Sequence, residues 1–176
     1  MNIFTSAGMA VGIMIGLIIC VIFYKFANND RKILTEYDER QEKIRGKGYK
    51  YAFYSLLAYE VIMACLVSGG YPVEPFDNYI MHILGVFISL LVLCVYTIWK
   101  GAYWGLNNNK KKYTVLIIIG FVCNLIPVIV MLVSGGIKKD GISSFPVTNL
   151  IVVIWMVIIG IVYMIRRSID GRNGEE

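Results

Sequence analysis

The chain has 176 residues, of which 57% are hydrophobic and only 16% charged, with a mean hydropathy of +0.66. That excludes an ordinary soluble domain and leaves no stretch outside the apolar runs long enough to fold as one. The net charge of +5 is not a nucleic-acid signal, because the bases sit in short stretches beside apolar runs, where the positive-inside rule and attraction to anionic lipid headgroups account for them.

Five apolar runs come close to the roughly 20 residues that a helix needs to cross a bilayer. They cover residues 6–26, 51–68, 79–99, 113–134 and 148–165. The expected fold is therefore an all-α membrane protein of five transmembrane helices. The first run has no base before it, and Lys25, Arg31 and Lys32 follow, which reads as an uncleaved anchor with its N-terminus outside. Gly8, Gly12 and Gly16 recur every fourth residue along it, a ridge of small residues that lets another helix approach closely.

Residues 29–50 carry the densest charge in the chain and read as a cytoplasmic amphipathic helix between the first two spans. Glu36 with Arg40, and Glu39 with Lys43, are acid-before-base pairs four residues apart. Thr35 and Asp38 have the spacing of a capping box, and Gly46 and Gly48 weaken the helix at the membrane entry and allow a bend there. Asp38, Glu39, Arg40, Gln41, Arg45 and Lys47 are the candidate cytoplasmic interaction motif, against the blander reading of a solvated helix lying on the bilayer.

The flanks of the spans set the orientation. Alternate flanks collect fifteen bases on one side and two, Lys138 and Lys139, on the other, so the C-terminus is expected inside. The chain then divides into an anchor (1–28), the charged helix (29–50), a hairpin (51–106), an Asn/Lys loop (107–112), a second hairpin (113–167) and a polar tail (168–176). Leu66-Val67-Ser68-Gly69-Gly70 and Leu132-Val133-Ser134-Gly135-Gly136 close the second and fourth spans with one motif. The hairpins read either as a duplication or as two apolar hairpins alike by chance. Cys20, Cys65, Cys94 and Cys123 are far apart within apolar runs and read as small core residues.

Glu60 is the carboxylate well inside a span, about as far from one end of the second run as from the other, and intramembrane acids default to a functional reading. Asn124, at similar depth in the fourth span, is its natural partner, with Tyr59 adjacent. Pro127 frees a backbone carbonyl in that span, which Asn124 could instead satisfy. His82, Glu74 and Asp77 match no metal-ligand spacing, and His82 reads as a solvated interfacial residue. No nucleophile elbow, phosphate loop, HExxH or catalytic carboxylate pair stands in the sequence, so neither catalysis nor a cofactor is expected.

The run Tyr37-Asp38-Glu39-Arg40-Gln41-x-x-Ile44-Arg45-Gly46-Lys47-x-Tyr49-Lys50-Tyr51-Ala52-Phe53 resembles a signature of small integral membrane proteins of bacteria, especially Firmicutes, and of archaea, whose families carry no assigned function. The resemblance implies a bacterial plasma-membrane protein and brings no substrate or catalytic residue with it. The leading expectation is a non-enzymatic accessory or regulatory subunit acting through its charged helix and span surfaces. The alternative is a small oligomeric transporter or channel-like protein using Glu60, and an intramembrane lipid-modifying enzyme ranks last. Expected partners are anionic lipid headgroups and either a second copy or another membrane protein.

Overall fold

A computed structural model describes residues 3–71, 78–134 and 144–172. Five helices follow one another: α1 (Ile3–Ala27), α2 (Glu39–Ser68), α3 (Asn78–Trp99), α4 (Lys110–Ser134) and α5 (Ser144–Arg172). Stretches of α2 to α5 make four helices long and apolar enough to cross a membrane, as in a multi-pass membrane protein, and Met14–Ala27 of α1 is a shorter apolar helix. Among the described residues there is no strand, only one isolated bridge between Asn28 and Asn108. The chain forms two compact units, Met1–Asp38 with Trp104–Ile118, and Glu39–Tyr103 with Ile119–Glu176.

The larger unit is built on α3, against which both α2 and α5 pack. Small residues set the α2–α3 approach. Gly48 is buried against Leu93, Tyr96 and Thr97, and a Cβ there would meet Leu93 Cδ1 at 3.0 Å. Four residues on, Ala52 is buried and its carbonyl accepts from the Ser89 hydroxyl at 2.9 Å. Further along, Gly85 leaves room for the Tyr59 ring, which a Cβ would strike. The Tyr59 hydroxyl donates to the Met81 carbonyl at 2.8 Å. On the other side of α3, the Trp155 indole donates to the Phe87 carbonyl at 3.1 Å and meets the Phe87 ring edge-on.

Residues 39–50 and the second span prove to be a single helix. Thirty residues at about 1.5 Å each make a rod of about 45 Å, longer than the roughly 30 Å hydrocarbon layer, so its charged first turns can stand clear of the lipid. The helix runs without interruption through Gly46 and Gly48, and Gly48 packs against α3. The helix also begins later than expected. Residues 29–38 follow a non-helical path, Thr35 caps nothing, and Asp38 stands at the N-cap position. Glu36 accordingly pairs with Lys32 at 2.7 Å instead of Arg40, while the Glu39–Lys43 pair forms at 2.7 Å.

The helix ends follow glycine. Gly70 and Gly101 have φ of +73° and +69°. In each case the next residue closes a 6→1 bond, Tyr71 N–H to the Leu66 carbonyl at 3.1 Å and Ala102 N–H to the Thr97 carbonyl at 2.8 Å. Both are Schellman stops, open to glycine because it takes the left-handed region without strain. The matching Gly135-Gly136 pair lies outside the described residues.

The cysteines are not core residues. Cys20, Cys65 and Cys123 lie on exposed helix faces and Cys94 is half-buried. Those faces also expose many large apolar side chains, among them Met14, Ile62, Leu132 and Met164, as suits lipid contact.

Candidate functional site

Glu60 and Asn124 each find a different partner from the one expected. Glu60 Oε2 lies 2.9 Å from His82 Nδ1, across the α2–α3 seam. Asn124 donates to the Gly120 carbonyl at 2.8 Å, one turn back on its own helix, and accepts from Asn149 Nδ2 on α5 at 3.2 Å. The carbonyl that Pro127 leaves without its helical donor belongs to Cys123, so Asn124 does not serve it. Pro127 itself is half-buried within an uninterrupted α4.

The seam explains why His82 meets Glu60. Gly85 admits the Tyr59 ring, and the bond from Tyr59 to Met81 fixes the rotation of α2 against α3. The next residues on each helix, Glu60 and His82, then face each other. His82 lies four residues into α3, about 6 Å from its start. Glu60 therefore sits beside the first turns of α3.

The pair borders an open cleft of about 360 Å³ lined also by Met63, Ala64, Val67, Ser68 and Met81. The Glu60 side chain is 36% exposed and that of His82 63%. A Glu–His contact of 2.9 Å requires a proton between the two atoms. With that proton alone the pair carries one negative charge, and with a second it is neutral. Among the described residues, no three His, Cys, Asp or Glu side chains are placed to hold a metal.

Two residues of the charged motif reach the end of α3. Arg40 Nη2 donates to the Lys100 carbonyl at 3.2 Å, and Arg45 Nη1 to that of Ala102 at 3.4 Å. Arg45 Nη2 also reaches the Tyr49 hydroxyl at 2.9 Å. These guanidiniums serve carbonyls at the C-terminal end of α3, where a helix favours positive charge. Asp38, Glu39 and Lys47 are exposed and Gln41 is half-buried. Within this run, Arg40, Arg45, Gly48, Tyr51 and Ala52 meet α3 or its C-terminal end. In the ridge of the first span, a Cβ on Gly16 would meet nothing within 4 Å. The side chains at Gly8 and Gly12 lie outside the described residues.

A second polar cluster, in the smaller unit, was not legible in the sequence. Asn28, fully buried, accepts from Asn108 Nδ2 at 2.8 Å and from the Tyr113 hydroxyl at 3.1 Å. Asn107 donates to both Asp30 oxygens, at 3.2 and 3.1 Å, and to the Leu34 carbonyl at 3.0 Å. Its own oxygen accepts from Glu36 N–H at 3.0 Å. Backbone bonds from Asn29 to Asn107 and from Asn109 to Ala27 close the clasp, and Asn109 caps the start of α4 by accepting from Lys112 N–H. The stretch 107–112, read as a solvated loop, is in its asparagine half a buried joint. The Asp30 carboxyl is held below its ordinary value of 3.8, chiefly by the Lys32 backbone N–H, against the opposing effect of burial and with help from Asn107 and the Lys32 charge.

In comparisons with known proteins, the chain matches no family model, no curated protein and no solved structure.

Proposed function

We propose that this is a non-enzymatic, multi-pass membrane protein whose working group is the Glu60–His82 pair, a protonatable site open to the outer side of a bacterial plasma membrane. The orientation follows from the fifteen-to-two distribution of bases, which puts the N-terminus and the 69–77 connection outside and the C-terminus inside, with α1 as a fifth span. The observation that carries the reading is the 2.9 Å contact between a carboxylate and an imidazole in a cleft otherwise walled mainly by apolar side chains. Ionisable groups at a membrane boundary are costly to keep, and a mutually hydrogen-bonded pair lowers that cost while still able to gain a proton. Five spans are few for a transport pathway, so one past Glu60 would be assembled from more than one copy. The two hairpins, α2–α3 and α4–α5, fit such an assembly as a duplicated unit.

Difference infrared spectroscopy on sealed right-side-out vesicles tests this. Lowering only the external pH should shift the Glu60 carboxylate bands as the paired imidazole gains its second proton, a change absent from Glu60→Gln. No Glu60-dependent change at any external pH would sink the proposal.

The accessory-subunit reading keeps one specific support. Gly16 and the apolar side chains around it are open, which suits docking of α1 on another chain.

A further inference from the structure

We infer that the cleft beside Glu60 binds a lipophilic organic cation, which competes there with a proton. The inference rests on the reading of Glu60 and His82 as a protonatable site and names its ligand. With one proton, shared between Oε2 and Nδ1, the pair is anionic, and among the described residues Glu60 Oε1 takes no hydrogen bond. Met63, Ala64, Val67 and Met81 line the cleft with it. Such walls offer the carboxylate few polar neighbours besides His82, so a counter-charge stabilises it there. Two agents can supply that charge. One is a second proton on the pair. The other is a cation in the cleft.

The walls decide which cation. A bare divalent ion needs several oxygen or nitrogen ligands, about six to eight for calcium, and among the described residues no third acidic, imidazole or thiol side chain joins Glu60 and His82. A cation that carries its own apolar shell needs no such ligand set. It sets its charge against the carboxylate and its shell against the two methionines, whose unbranched thioethers adapt to an irregular guest. The cleft of about 360 Å³ falls within the roughly 300–1,000 Å³ of small-molecule sites. Among the described residues, the titratable groups at the site are Tyr59, beside Glu60 on α2, and His82 on α3, the helix packed against it. The exchange balances: the doubly protonated pair plus a monovalent cation gives the singly protonated pair with the cation bound and one free proton.

Binding of tetraphenylphosphonium to the purified full chain in detergent, by equilibrium dialysis across a pH series, tests the inference. On the acidic side, affinity should fall about tenfold per pH unit, as competition with a single proton requires. A weakly buffered sample should release one proton per cation bound. Glu60→Gln should weaken binding by at least about tenfold, a difference of about 1.4 kcal/mol. Ala64→Phe, which fills the cleft and leaves both titratable groups in place, should do the same. Tetramethylammonium, with little apolar shell, should bind more weakly than tetraphenylphosphonium. Equal binding by wild type and a folded Glu60→Gln, or binding indifferent to pH and to Ala64→Phe, overturns the inference. A cleft that binds no tetraphenylphosphonium while the Glu60 carboxylate bands still respond to external pH overturns the cation and leaves the protonation site standing.

Discussion

Gly46 and Gly48 stand two residues apart in one helix, yet their surroundings predict opposite responses to substitution. A Cβ on Gly46 meets nothing within 4 Å, so Gly46→Ala changes only the backbone term and should stabilise α2 by about 0.5–1 kcal/mol. At Gly48 a Cβ meets Leu93 Cδ1 at 3.0 Å, Tyr96 Cδ1 at 3.3 Å and Thr97 Cγ2 at 3.4 Å. Leu93 ends in a flexible methyl that can give way, so Gly48→Ala should come out near neutral, its helix gain offset by the crowding. Gly48→Leu has no such escape, because Tyr96 is also engaged with the Tyr51 ring and Thr97 is buried. Overpacking of this kind costs about 1–3 kcal/mol. Separation of α2 from α3 would also strain the bonds from Arg40 and Arg45 to the 100–102 carbonyls. Cys94, half-buried on α3, reports the seam once the exposed Cys20, Cys65 and Cys123 are changed to serine. Thermal unfolding in detergent, followed by maleimide reaction at Cys94, should give midpoints in the order Gly46→Ala above wild type, Gly48→Ala beside it and Gly48→Leu below it. Equal midpoints for Gly46→Ala and Gly48→Leu would refute the docking of Gly48 on α3.

Two further outcomes follow from the clasp and from the orientation. Asp30 has its folded pKa lowered, so its contribution to stability is complete above its ordinary 3.8 and is lost as pH falls through the lower folded value. The difference in unfolding midpoint between wild type and Asp30→Asn should be constant near neutrality and shrink as pH falls below 3.8, and a gap that does not shrink there would remove the Asn107 and Lys32 contacts as its cause. For orientation, single cysteines at Tyr71 and Lys111, both exposed, in a background without the native four, should label from outside intact cells at the first position only. The reverse pattern would invert the protein.

Length and hydropathy are local properties, and they made the helices after the first legible. The charged flanks gave an orientation to test, and glycine marked the ends of α2 and α3 at Gly70 and Gly101 because only a residue without a Cβ takes that backbone freely. What tertiary structure alone decided was the partner of each polar side chain. His82 pairs with Glu60 across 22 residues of sequence because Gly85 seats the Tyr59 ring and so sets the rotation of one helix on the other. Arg40 and Arg45 look like a solvated charged face until the end of α3 is brought beside them. Asn107 and Asn108 read as loop residues because asparagine suits a turn and a buried joint equally well, and their partners lie 71 to 80 residues away. Apolar periodicity makes a helix wherever it stands, whereas a hydrogen bond between helices depends on the register and rotation that close packing imposes.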